Sequence, residues 1–171
     1  MSAPQSSTGR SRSARLPARR PIQVLGLGNL IYSDDGAGVA ALGRLRNHPR
    51  LPSGVELVDG GLFGLQVVSL VENASRLLLL DAVDVGASAG TVIRMKGEEL
   101  ERLPRGLGAH EFGAPDLLSL FKLRERGPDE VVFLGIQPAS IALGTSLSAE
   151  VESGLNRLIA AAIRQLAAWT R

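Results

Sequence analysis

Residues 22–38 read Ile22-Gln23-Val24-Leu25-Gly26-Leu27-Gly28-Asn29-Leu30-Ile31-Tyr32-Ser33-Asp34-Asp35-Gly36-Ala37-Gly38. The stretch opens as a short apolar strand, 22–27, and then turns on glycine. It leads into a helix predicted over 36–47, with Val39, Leu42 and Leu45 on one face. The alternation continues outward from there. Val55-Glu56-Leu57-Val58-Asp59 alternates as a strand, and residues 62–73, with Leu62, Leu65, Val68 and Leu70, predict a helix. Arg76-Leu77-Leu78-Leu79-Leu80-Asp81 is a near-continuous apolar run, the pattern of a strand buried on both faces. Thr91 to Met95 predicts a further strand behind Gly90, and residues 97–109, rich in charge, Gly and Pro, predict a loop. Pro115 stands where a helix can begin, followed by Leu117, Leu118, Leu120 and Phe121. Glu130 to Ile136 is a strand. Ser148 caps the last helix, whose first turn carries Glu150 and Glu152 near the positive end of the dipole. Val151, Leu155, Leu158, Ile159, Ala162, Ile163 and Leu166 form its buried stripe. This order predicts an α/β fold: a three-layer α/β/α sandwich around a mostly parallel, twisted sheet of about five strands.

Composition narrows the chemistry. The 171 residues are one domain's worth. There is no cysteine, so disulfides, thiolate metal sites and a cysteine nucleophile are excluded. There are two histidines, His48 and His110, so one chain cannot build a three-histidine metal site. Aromatics make up 4% of the chain, too few for a base-stacking surface. The net charge of +2 divides unevenly. Residues 1–20 hold five arginines and no acid, leaving 14 bases against 17 acids in residues 21–171, a net of −3. A mildly acidic body argues against a nucleic-acid partner. Residues 1–20, rich in Ser, Arg and Pro, predict a disordered basic leader ahead of a single domain at 21–171. Arg19-Arg20 is not followed by the sustained apolar segment an export signal needs. No stretch is long and apolar enough to span a bilayer, and a cytoplasmic protein is expected.

In sheets of this kind ligands bind outside the carboxyl ends of the strands. The first strand delivers Gly26-x-Gly28-Asn29 and then Ser33-Asp34-Asp35-Gly36-x-Gly38. The second delivers Asp59-Gly60-Gly61, the third Asp81-Ala82-Val83-Asp84, and the loop after the fourth His110. A dinucleotide site needs a third glycine where Ile31 stands, and two acids would repel a pyrophosphate, so Gly26 and Gly28 read mainly as a tight strand-to-helix turn. One of Asp34 and Asp35 reads as a helix N-cap and the other as a forward-pointing carboxylate, or both as caps. Asp81 ends an apolar strand and must face the rim or a partner. Asp59 and Asp84 read as turn formers, and His48, before Pro49 at a helix end, as a solvated side chain. Asp35, Asp81 and His110 together make a plausible set for nickel, zinc, manganese or iron.

These residues resemble the maturation endopeptidases of [NiFe] hydrogenases. The family opens with a strand and a GxGN…D(D/E)GxG segment, matched by Gly26 to Gly38. A DGG turn follows at Asp59-Gly60-Gly61, then a strand ending in DAV at Asp81-Ala82-Val83, a GT pair at Gly90-Thr91 and an HxxG loop at His110 to Gly113. Gly135-Ile136-Gln137-Pro138 and Gly144 to Ser148 match the last two motifs. The matches run in order over about residues 22–168. Leu62, Ala89 and Gly108 depart from common family residues, and Asp35 stands where some members have Glu. The resemblance implies an enzyme that removes a C-terminal extension from a hydrogenase large-subunit precursor after nickel insertion. It implies catalytic and metal-recognising residues Asp35, Asp81 and His110, with nickel presented by the precursor and not held permanently. Asp34 is then the expected cap, which a serine could replace. The alternatives are a nickel-sensing chaperone that does not cut, and another metallohydrolase on the same scaffold.

Overall fold

The computed structural model describes residues 20–61, 65–102 and 113–171. Its strands are β1 (Ile22–Leu27), β2 (Val55–Gly61), β3 (Arg76–Ala82), β4 (Val92–Lys96) and β5 (Glu130–Ile136). Its helices are α1 (Ala37–Arg46), α2 (Gln66–Val71), α3 (Gly97–Leu100), α4 (Ala114–Leu123) and α5 (Ala149–Trp169), with a 3-10 turn at Ser33–Gly36 leading into α1. The five strands form one sheet in the order β2-β1-β3-β5-β4. All pairs are parallel except β4 with β5.

Alternation along the strands assigns the two faces. Val24, Leu78, Leu80, Val132, Leu134 and Ile136 pack with α1 and α5. Leu25, Leu27, Leu77, Leu79 and Phe133 pack with α2, α4 and Leu100 of α3. Leu77 to Leu80 have no exposed surface, as expected of a central strand covered on both sides. Each such leucine contributes about 1.5–3 kcal/mol of burial. The expected three-layer sandwich is therefore present, and Ser148 caps α5 by accepting the Val151 N–H.

Three elements differ from the sequence expectation. A short helix, α3, occupies the start of the predicted loop 97–109. Helix α2 is shorter than predicted, and its inward face only partly matches: Val68 is buried as read, joined by Val67 and Val71, whereas Leu65 and Leu70 are exposed. Leu62 lies outside the described residues. The reversed strand has a simple cause. No helix separates β3 from β4, so the chain cannot return to the starting edge and must run back down. The carboxyl end of β4 therefore faces away from the ends of β1, β3 and β5. The expectation that the fourth strand opens onto the common rim is not met.

Arg20 is the first described residue. Arg20, read as the last residue of the leader, donates from its guanidinium to the carbonyls of Asn73, Ala74 and Gly127 and pairs with Asp129. It ties the segment entering β1 to the turns before β3 and β5.

Candidate active site

The strand order reverses between β1 and β3, where chain connections leave in opposite directions. In open α/β sheets such a switch point is where ligand crevices form. Asp35 follows β1 and Asp81 ends β3, so both flank it. Gly26 pairs with Leu80 across this junction, one residue before Asp81.

Glycine makes the approach possible. Gly28 has φ +125°, and a Cβ there would lie 2.0 Å from the Asp35 carbonyl oxygen. A Cβ on Gly38 would lie 2.2 Å from the Leu80 carbonyl oxygen and 2.3 Å from that of Leu27. The first turn of α1 thus rests directly on the backbone ends of β1 and β3. This delivers the 3-10 turn, with both its acids, to the crevice.

The two adjacent acids separate sharply. Asp34 is fully buried and accepts three backbone N–H groups: Ala139 at 2.8 Å, Ser140 at 3.0 Å and Ser148 at 2.6 Å. The expectation that it caps its own helix is not met: no side chain caps the 3-10 turn or α1. It closes the β5–α5 loop instead. The 3-10 entry leaves no standard N-cap geometry, and the side chain turns to donors more than 100 residues away. Asp35 is also buried, and its Oδ2 accepts the Asn29 N–H at 2.8 Å. Asp81, buried too, accepts the Ala82 N–H on Oδ1 at 2.8 Å.

Asp59 accepts the Gly61 N–H and Asp84 the Gly86 N–H, so both are turn formers as read. His48 accepts the Arg50 N–H on Nδ1 at the end of α1, away from the crevice, and remains half-exposed. His110 lies outside the described residues. Among the described residues no three His, Cys, Asp or Glu side chains gather as a metal site.

Gln137 escaped the sequence reading as an individual residue. It is buried, and its Oε1 accepts the N–H groups of Val85 and Ala87. Its Nε2 donates to Asp84 Oδ1 at 2.9 Å. It shapes the loop that follows Asp81. The Gln137 amide, then the Gly86 N–H, holds the Asp84 carboxyl below the usual aspartate value. A polar residue directly after an apolar strand and before Pro138 was the available signal.

Comparison with known proteins agrees with this architecture. A family model described as hydrogenase maturation protease matches residues 39–165. The hydrogenase expression/formation protein HupD of Rhodobacter capsulatus is 34% identical over 162 residues, covering 90% of this chain and 76% of that protein. The hydrogenase 2 maturation protease of Escherichia coli is 30% identical over 146 residues, covering 82% of this chain and 89% of that protein. Among solved structures, the hydrogenase maturating endopeptidase HybD from E. coli superposes with a TM-score of 0.76 at 28% identity, covering 85% of this chain and 93% of its own. The [NiFe] hydrogenase maturation protease HybD from Thermococcus kodakarensis gives 0.68 at 27%, covering 85% and 99%. With its fold, its switch-point carboxylates and these similarities in agreement, the chain belongs to the hydrogenase maturation protease family.

Proposed function

We propose that this endopeptidase removes the C-terminal extension of a [NiFe]-hydrogenase large-subunit precursor once nickel has been inserted, and that it does so in the cytoplasm. The observation that carries the reading is the pair of buried carboxylates, Asp35 in the 3-10 turn that follows β1 and Asp81 at the end of the adjacent parallel strand β3. Membership of the family adds the peptidase chemistry, and the nickel is treated as part of the substrate.

The donor types fit that role. Two carboxylate oxygens and the imidazole of His110 are a hard-to-borderline set that suits a divalent first-row metal. Backbone bonds from Asn29 and Ala82 orient the two carboxylates. Nickel held in the precursor would polarise the scissile carbonyl or a water. Asp35 or Asp81 is then the group within the chain that accepts a proton. Among the described residues no helix is long and apolar enough to cross a membrane, in keeping with the proposed compartment.

A processing assay on nickel-loaded precursor, read as loss of the extension on a gel, tests these assignments. Asp35→Asn, Asp81→Asn and His110→Ala should each abolish processing while the melting temperature stays near wild type. Asp35→Glu should retain part of the activity. Wild-type processing by Asp35→Asn or His110→Ala would remove that residue from the reacting set.

A further inference from the structure

The rim beside Asp35 carries an apolar platform that the carboxylate chemistry does not use. Leu30 and Ile31, between β1 and the 3-10 turn, are 53% and 51% exposed. Ile141 and Leu143, between β5 and α5, are 47% and 77% exposed. The two loops are one unit. The Ser33 N–H donates to the Gly144 carbonyl at 2.7 Å, the Gly144 N–H to the Ile31 carbonyl at 3.0 Å, and the Ser33 hydroxyl to the Ala142 carbonyl at 2.9 Å. Ser33 sits at φ +46°, a strained conformation for a residue with a side chain, held by these bonds. Asp34 fastens the same β5–α5 loop from below, and Asp35 accepts the Asn29 N–H at the base of the other.

Grouped exposed aliphatic side chains mark interaction sites, whereas single ones need no partner. The charge of the platform is equally distinctive. Residues 29–33 and 136–148 contain no Asp, Glu, Lys, Arg or His, in a chain of which 21% is charged. A charged partner would find nothing to pair with here, whereas an apolar, uncharged chain would lose little on leaving water. The platform is also continuous with the site through Asn29 and Asp35.

We propose that this two-loop platform is the docking surface for an apolar, uncharged segment of the precursor chain next to its scissile bond. The proposal rests on the processing function put forward above. Leu30, Ile31, Ile141 and Leu143 bind that segment and thereby present the neighbouring peptide bond to the carboxylates. They act in binding and do not touch the reacting atoms.

The test uses the full chain with purified, nickel-loaded large-subunit precursor, measuring both Kd by fluorescence anisotropy and steady-state cleavage. The variants are Leu143→Ser and the double variant Ile31→Asp/Leu143→Asp. Leu123→Asp is the control, since Leu123 is 80% exposed at the far end of α4. All are surface changes, and melting temperatures verify folding. The expected result is precursor binding at least tenfold weaker in the double variant and weaker in Leu143→Ser. KM should rise with kcat unchanged, the control should match wild type, and Leu143→Met should restore binding. Wild-type binding and KM in the folded platform variants would overturn the proposal while leaving the protease function standing. So would a platform that serves only to pair two copies of this chain, seen as variants that turn monomeric yet bind precursor normally. If wild type binds precursor without cutting it and the variants lose that binding, the platform stands and the protease reading falls. If wild type neither binds nor cuts, both fall.

Discussion

Asp34 and Asp35 are neighbours with different work. Asp34 satisfies three backbone donors at once, in a fully buried position. One serine hydroxyl cannot span them, so serine does not substitute for Asp34 as the sequence suggested. Asp34→Ser and Asp34→Ala should each destabilise the protein by about 3 kcal/mol in urea unfolding, since buried donors left unmade are costly. A loss under about 1 kcal/mol would mean that the three bonds contribute little. Gln137 offers a second residue-level test. Its amide is the leading cause of the lowered Asp84 carboxyl, so Gln137→Ala should raise that value toward the usual range in an NMR titration. Because the folded value is depressed, the associated stabilisation is present above the ordinary aspartate value and is lost as pH falls through the folded one. An unchanged Asp84 titration would show that the Gly86 N–H suffices.

At the scale of elements, the contact of α1 with the sheet decides where the acids go. Gly38→Ala would drive a methyl into the carbonyls of Leu80 and Leu27 and lift α1 from β1 and β3. It should cost about 3 kcal/mol or more and reduce processing, as Asp35 moves with the helix. Gly43→Ala, on the same helix with open space around it, should stabilise by about 0.5–1 kcal/mol. Equal effects at the two positions in thermal unfolding would contradict the close approach. Strands β1, β3 and β5 and helix α5 were legible in the sequence, because central strands and a capped amphipathic helix write their burial into local pattern. Helix α2 was misread because leucines and valines compete for one short stretch: Leu65 and Leu70 fit a stripe as well as Val67, Val68 and Val71, which the sheet selects. The role of Asp34 was not legible at all. Its donors are backbone groups 105, 106 and 114 residues along the chain, and backbone donors leave no side-chain signature. Asp35 and Asp81 could be found because strand ends in a parallel sheet share one rim. That argument does not extend to His110, since β4 is antiparallel.

For the whole molecule, the sheet separates two ends. The rim at the carboxyl ends of β1, β3 and β5 carries the carboxylates and the apolar platform, while Arg20 ties the opposite end together. Removing residues 1–19 should leave the melting temperature and processing unchanged, whereas Arg20→Ala in the full chain should cost about 1 kcal/mol. A large drop in melting temperature on removing 1–19 would place part of the leader in the fold. The proposed function requires the enzyme to read nickel in its substrate before it cuts. Mass spectrometry of the large-subunit precursor, nickel-loaded and nickel-free, after incubation with wild type and with Asp35→Asn, tests it directly. Loss of the C-terminal extension is expected only from nickel-loaded precursor and only with wild type. Equal cleavage of nickel-free precursor, or cleavage by Asp35→Asn, would contradict it.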